Sequence, residues 1–191
     1  MTPRAPKILF TGFKPFAGRP VNGSETILKF LKTWKSAYKF KTVIMDVLWG
    51  EVERSGLAAI KSFGPDMVFA LGEGEAGVVK LETVGANLRG GTDNAGATAT
   101  GLIERNGPAR RLARFCFSKT ESREFAFPVS VSGDAGLHLC NNALYTFLGT
   151  NVRRVLFVHL PPQGSVKDKE YAGAILPIVK ELLKSNFPWI E

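Results

Sequence analysis

The chain has 191 residues, 45% of them hydrophobic and 22% charged, enough to bury a sizeable core as a single α/β domain spanning residues 1–191 and unlike a tail or a repeat array. Two cysteines are too few for a disulfide scaffold, and neither the MTPRAPK lead nor any window of roughly 18 unbroken apolar residues offers a signal peptide or membrane span, so a cytoplasmic protein with reduced thiols and no membrane partner is expected. The net charge of +8 is dispersed over helix faces and strand flanks, among them Lys29, Lys32, Lys35, Arg110, Arg114 and Lys184, which argues against nucleic acid as a partner.

KILFTG (7–12) reads as the first strand, and SETILKFLKTWKSAY (24–38) as a helix with Ile27, Leu28, Leu31 and Trp34 on one face and Ser24 as its cap. KTVIMDVL (41–48) is a strand, EVERSGLAAIKSF (51–63) a helix, and DMVFALG (66–72) and GVVKLETV (77–84) are strands. GANLRGGTDNAGATATG (85–101) has five glycines and no apolar period, so it reads as a long loop of the kind that often carries function. GPARRLARFCF (107–117) reads as a helix with Cys116 buried among phenylalanines, and FAFPVSV (125–131) as a strand. A helix running through Cys140 to Phe147, the strand RVLFVHL (154–160) and the helix DKEYAGAILPIVKELLKSN (168–186), kinked at Pro177, complete the chain. Nearly continuous apolar strands alternating with helices predict a three-layer α/β/α sandwich around a twisted mixed, mainly parallel sheet.

A cysteine nucleophile needs a neighbour to take its proton, usually histidine, and that histidine needs a third group to fix its tautomer. Cys140 lies in SGDAGLHLCNNALY (132–145). A helix starting at Cys140 puts the thiol at a positive N-terminal end, whereas one capped by Asp134 puts it beyond the first turn. From local sequence, packed sulfur and nucleophile both stay open. His159 ends a strand just before Pro161 and Pro162, and in open α/β sheets ligand sites gather outside the carboxyl ends of strands. His138 is poorly placed to face Cys140 and reads as a surface or packing residue. Glu82 sits in an apolar strand on the face of Val78 and Lys80, where Lys80 or solvent is its ordinary partner and catalysis its sharper reading.

Taken in order, four segments resemble the pyroglutamyl peptidase I family of cysteine peptidases, also called pyrrolidone carboxyl peptidases. TGFKPFAGRPVN is similar to the family's TGFxPFxG motif with a downstream Asn, and LGEGEAGVVKLETVGAN to its glycine-rich turn followed by a strand bearing Glu and a nearby Asn. SGDAGLHLCN is similar to its SxxAGxxxCN nucleophile motif and FVHLP to its FxHxP motif. The resemblance implies a Cys140, His159 and Glu82 triad that needs no metal or cofactor and acts on N-terminally pyroglutamylated peptides through a thioester. It also implies an oxyanion site at the backbone N–H of Cys140 with Arg89 as a helper, and substrate contacts from Phe13, Phe16, Asn22, Glu73 and Leu139. Assembly as a homo-oligomer, dimer or tetramer, is implied as well.

Departures from the family fall on the substrate side. Glu73 stands where many members carry Gln, Thr83 follows Glu82 where Arg is usual, and Gly23 follows Asn22 where Pro is usual. A carboxylate can accept the N–H of a pyrrolidone ring but repels the ring oxygen. Two other readings therefore stand beside the first: a cysteine amidohydrolase acting on another small N-acyl group, and a catalytically silent member that binds peptide ends or a partner protein.

Overall fold

The computed structural model describes residues 4–117 and 125–188, so the Met1–Pro3 start of the amino-terminal lead lies outside them. Six strands form one sheet in the order β2 (Lys39–Met45), β1 (Lys7–Phe13), β3 (Met67–Glu73), β10 (Arg154–Leu160), β4 (Val79–Glu82) and β9 (Val129–Ser132). β2, β1, β3 and β10 run parallel, β4 runs antiparallel to β10, and β9 runs parallel to β4. This is the mixed, mainly parallel sheet expected from the sequence.

Because side chains alternate across a strand, the sheet has two apolar faces. Phe10, Phe69, Leu71, Leu156 and Val158 point to one side, where α1 (Gly23–Leu31) and α4 (Asp168–Asn186) cover them. Leu9, Val68, Ala70, Val155 and Phe157 point to the other, under α3 (Leu139–Leu148), a π-helical turn at Val52–Leu57 and the α2 helix (Ala58–Phe63) that continues it. Nearly all of these side chains are fully buried, and each of the valines, leucines and phenylalanines contributes about 1.5–3 kcal/mol by leaving water. No helix among the described residues is long and apolar enough to cross a membrane.

Several local expectations are corrected. α1 is capped by Asn22, whose side chain accepts the Ser24 N–H at 2.9 Å, because the Ser24 hydroxyl is already taken by the Phe13 N–H at 3.0 Å. α1 stops at Leu31, and Trp34 lies beyond it, stacked on Phe40. The segment 107–117 is extended rather than helical. Its β8 (Arg110–Leu112) pairs with β5 (Val84–Ala86), and Arg114 bridges to Val155. The half-buried Ala113, Phe115 and Phe117 recur every second residue and leave Arg114 and Cys116 outside, so Cys116 is exposed instead of buried. The predicted loop 85–101 also folds back on itself, as a hairpin of β6 (Arg89–Thr92) and β7 (Thr98–Gly101). Its turn is held by Asp93, whose carboxylate accepts the N–H groups of Ala95 and Ala97 and reaches Trp49 N–H at 3.0 Å. Small side chains, exposed over much of the hairpin, left no period to read. Pro177 sits inside an unbroken α4.

Candidate active site

Cys140 is the second residue of α3, after Leu139. Asp134 does not cap this helix, because its carboxylate is engaged by Gly136 N–H at 2.9 Å in the preceding turn. The Asn142 N–H reaches back to His138 O at 3.0 Å, so the N–H groups of Leu139, Cys140 and Asn141 lie in the first turn, where an α-helix leaves them without an intrahelical partner and gathers positive potential. The sulfur fits against β3 because residue 72 is glycine: a Cβ there would lie 2.9 Å from Cys140 Sγ and 2.7 Å from the Phe157 ring.

His159 points to the α3 side of the sheet, with the same alternation as Val155 and Phe157. On the antiparallel neighbour, Phe157 pairs with Glu82 and His159 with Lys80, which makes Glu82 the diagonal neighbour of His159 on one face. His159 Nδ1 lies 2.8 Å from Glu82 Oε1, and the two side chains are 12% and 1% exposed. Lys80, the ordinary partner for Glu82, is paired with Glu75 instead. Burial pulls the imidazole pKa down, but interaction with Cys140 and with Glu82 outweighs it and raises His159 to about 10. Nδ1 is committed to Glu82, which leaves Nε2 for the sulfur. Gly74 makes room on the far side, where a Cβ would stand 2.7 Å from that of His159.

Beside the sulfur lies a small cleft lined by Phe13, Phe16, Asn22, Val47, Glu73, His138, Leu139 and Cys140. Phe13, Asn22 and Leu139 are buried. The Asn22 amide caps α1 through its oxygen and donates one N–H to Lys14 O at 3.1 Å, so it shapes the turn. The Glu73 side chain is 2% exposed and is bound by Arg19, whose guanidinium lies 4.8 Å from the centre of the Phe16 ring. His138 places Nε2 3.1 Å from Thr92 O and meets Trp49 edge-on, which fastens the β6–β7 hairpin to the start of α3. Arg89 begins β6, outside the cleft lining, with its Nε buried and unpartnered among the described residues, as is Glu82 Oε2.

Sequence reasoning missed Arg19, Val47 and the lining role of His138. Arg19 had a signal, since it lies in the opening motif three residues after Phe16. Asn141 follows Cys140 in the nucleophile motif, with no local signal of its structural role. It bonds the backbone of Ala86 through both ends of its amide, at 2.9 Å each, and donates to Leu88 O at 2.7 Å, holding the strand after Glu82 against α3. One departure from the family also has a local cause. A Cβ at Gly23 would fall 2.2 Å from the hydroxyl oxygen of buried Tyr171, which donates to Pro161 O at 2.7 Å.

Residues 6–181 match the family model of pyroglutamyl peptidase. The chain is 31% identical over 166 residues to a pyrrolidone-carboxylate peptidase of Halalkalibacterium halodurans, covering 81% of this chain and 83% of that one. It is 29% identical to pyrrolidone-carboxylate peptidase 2 of Caldanaerobacter subterraneus, over 94% of this chain and all of the other. Its fold matches that of a pyrrolidone carboxyl peptidase from Thermococcus litoralis with a TM-score of 0.78 at 21% identity, covering 94% of each chain, and that of a mutant pyrrolidone carboxyl peptidase from Pyrococcus furiosus with a TM-score of 0.81 at 21% identity, covering 93% of this chain and 98% of that one. The chain belongs to the pyroglutamyl peptidase family.

Proposed function

We propose that the chain is a cysteine peptidase, built as one domain, that releases pyroglutamate from the N-terminus of peptides. Cys140 is the nucleophile, His159 the proton carrier and Glu82 the group that fixes the imidazole. The observation that carries this reading is the meeting of thiol, imidazole and buried carboxylate beside a small, largely apolar slot.

His159 Nε2 takes the thiol proton, and the imidazolium is stabilised through Nδ1 by Glu82. The thiolate adds to the carbonyl carbon of the pyroglutamyl residue. The oxygen turns negative at the free N–H groups of the first turn of α3, that of Cys140 foremost. Arg89 is assigned the lesser part of raising positive potential near that oxygen. As the tetrahedral species collapses, His159 returns its proton to the departing amine and a thioester to Cys140 remains. Water, deprotonated by His159, then hydrolyses the thioester and frees the thiol. Phe13, Phe16 and Leu139 supply the apolar walls around the ring, Asn22 holds the turn that presents the two phenylalanines, and Glu73 sits where the ring N–H needs an acceptor.

The free thiols of Cys116 and Cys140 support a reducing, cytoplasmic setting, and the family resemblance supports assembly as a homo-oligomer. The reading is tested by hydrolysis of a pyroglutamyl coumarylamide by wild type, Cys140→Ala and Cys116→Ala. Wild type and Cys116→Ala are expected to cleave it at similar rates and Cys140→Ala to fall to the uncatalysed rate. Activity that survives Cys140→Ala removes the nucleophile assignment, and a wild type without activity removes the substrate.

A further inference from the structure

Glu73 lines the cleft, and the chemistry above gives no part to its ion-pair partner Arg19, which reaches it from outside the lining. Glu73 ends β3, and its nearly buried carboxylate lines the same space as Cys140. Arg19 reaches it from the turn after β1. That turn is closed by Arg19 N–H on Phe16 O at 3.0 Å, with Ala17 at φ 51° and Gly18 at φ 71°. Both central residues are left-handed, a type I′ geometry. Ala17 has a Cβ and occupies this region at a cost, and the tight turn sets the guanidinium over the Phe16 ring and onto Glu73 Oε1. Among the described residues, Arg19 is the only hydrogen-bond partner of the Glu73 carboxylate, so Oε2 is uncommitted. The Arg19 side chain is 47% exposed and, among the described residues, keeps further N–H groups free.

A pyrrolidone ring carries an N–H and a C=O side by side on one edge. A lone carboxylate answers half of that pattern, accepting from the N–H and repelling the oxygen. A carboxylate with a guanidinium clamped beside it answers both halves, because the guanidinium holds only donors. We propose that Arg19 and Glu73 together read the lactam edge: Glu73 Oε2 accepts the ring N–H while an Arg19 N–H donates to the ring carbonyl. Arg19 is thereby a substrate-specificity residue of this chain, and the ion pair does the work of a single side-chain amide. The inference rests on the pyroglutamyl reading given above and names which residues recognise the ring.

The test measures ring binding apart from turnover. Affinity for 2-pyrrolidone and for cyclopentanone, which keeps the carbonyl but lacks the N–H, is measured on wild type, Arg19→Met and the double variant Arg19→Met/Glu73→Gln by competition against alkylation of Cys140, all in a Cys116→Ala background. KM and kcat for the pyroglutamyl reporter are measured alongside. Wild type is expected to prefer 2-pyrrolidone. Arg19→Met, which strips a charged donor and leaves the carboxylate facing the ring oxygen, is expected to bind it about 10-fold to 100-fold more weakly and to raise KM more than it lowers kcat. The double variant, in which one amide supplies both acceptor and donor, is expected to recover most of that loss, which a purely structural role for the ion pair does not predict. Unchanged binding in Arg19→Met, no recovery in the double variant, or no binding of 2-pyrrolidone to wild type overturns the inference. A wild type that binds 2-pyrrolidone in an Arg19-dependent way yet cleaves no pyroglutamyl reporter overturns the peptidase reading and leaves this one standing.

Discussion

Gly72→Ala places a methyl group where Cys140 now rests. The added Cβ would begin 2.9 Å from Sγ and 2.7 Å from Phe157 Cζ, against ordinary carbon–sulfur and carbon–carbon contacts of roughly 3.5–4 Å. Relief requires about 0.6–1.1 Å more separation from the sulfur and about 0.8–1.3 Å more from the ring. Phe157 is fully buried between the sheet and α3, so the sulfur is the freer of the two and takes most of the displacement. Overpacking of this size costs about 1–3 kcal/mol of stability, whereas a misplacement of about 1 Å at a reacting atom costs about 100-fold in rate. Gly56→Ala is the control. Its Cβ would meet Phe147 at 2.7 Å, a similar clash with an aromatic ring of the same core that leaves Cys140 alone. Chemical denaturation and kcat/KM on the pyroglutamyl reporter should show both variants weakened by similar free energies and only Gly72→Ala slowed about 100-fold. Full activity in Gly72→Ala, or equal slowing in Gly56→Ala, would refute the assignment of Gly72 as the seat of the nucleophile.

Glu82→Gln removes the charge that helps to raise His159, and the rate should fall about 10²–10⁴-fold, the scale of positioned proton transfer. The sign of its pH effect is fixed by the direction of the shift. The imidazolium persists up to about pH 10 in the wild type, so the alkaline limb of kcat/KM lies there and should move to lower pH in Glu82→Gln; an unmoved limb would exclude Glu82 as a contributor beside Cys140. Asn141→Ala deletes three hydrogen bonds to the backbone of Ala86 and Leu88 and should lower the unfolding free energy by about 2–4 kcal/mol, read by urea denaturation, with loss under 0.5 kcal/mol counting against the strut role.

Strand alternation made much of the site legible. Val79 and Leu81 mark one face of β4, so Glu82 had to lie on the other, whereas the unbroken apolar run of β10 shows His159 at the end of its strand without showing its face. The sheet order that makes them neighbours was not legible, since β10 enters between β3 and β4 although it comes last in sequence. The helix start at Leu139 could not be read because Asp134 is an equally competent cap, and only the folded turn shows its carboxylate committed to Gly136. GPARRLARFCF misled because Leu112, Phe115 and Cys116 fit a helical period while Ala113, Phe115 and Phe117 fit a strand, and the edge offered by Val84 decided between them. The Arg19–Glu73 pair joins residues 54 positions apart, beyond any local pattern.

The position of β10 has a consequence for how the protein is made. A ribosome delivers Glu82 well before His159 and Cys140 only shortly before it, and the strand bearing His159 has no place to add at an edge: it must enter the middle of the sheet, between partners laid down long before it. Long-range pairings of this kind come late and slowly in folding. His159 and sheet closure therefore arrive together. On the proposed triad, cleavage waits until the sheet that seats the imidazole is whole.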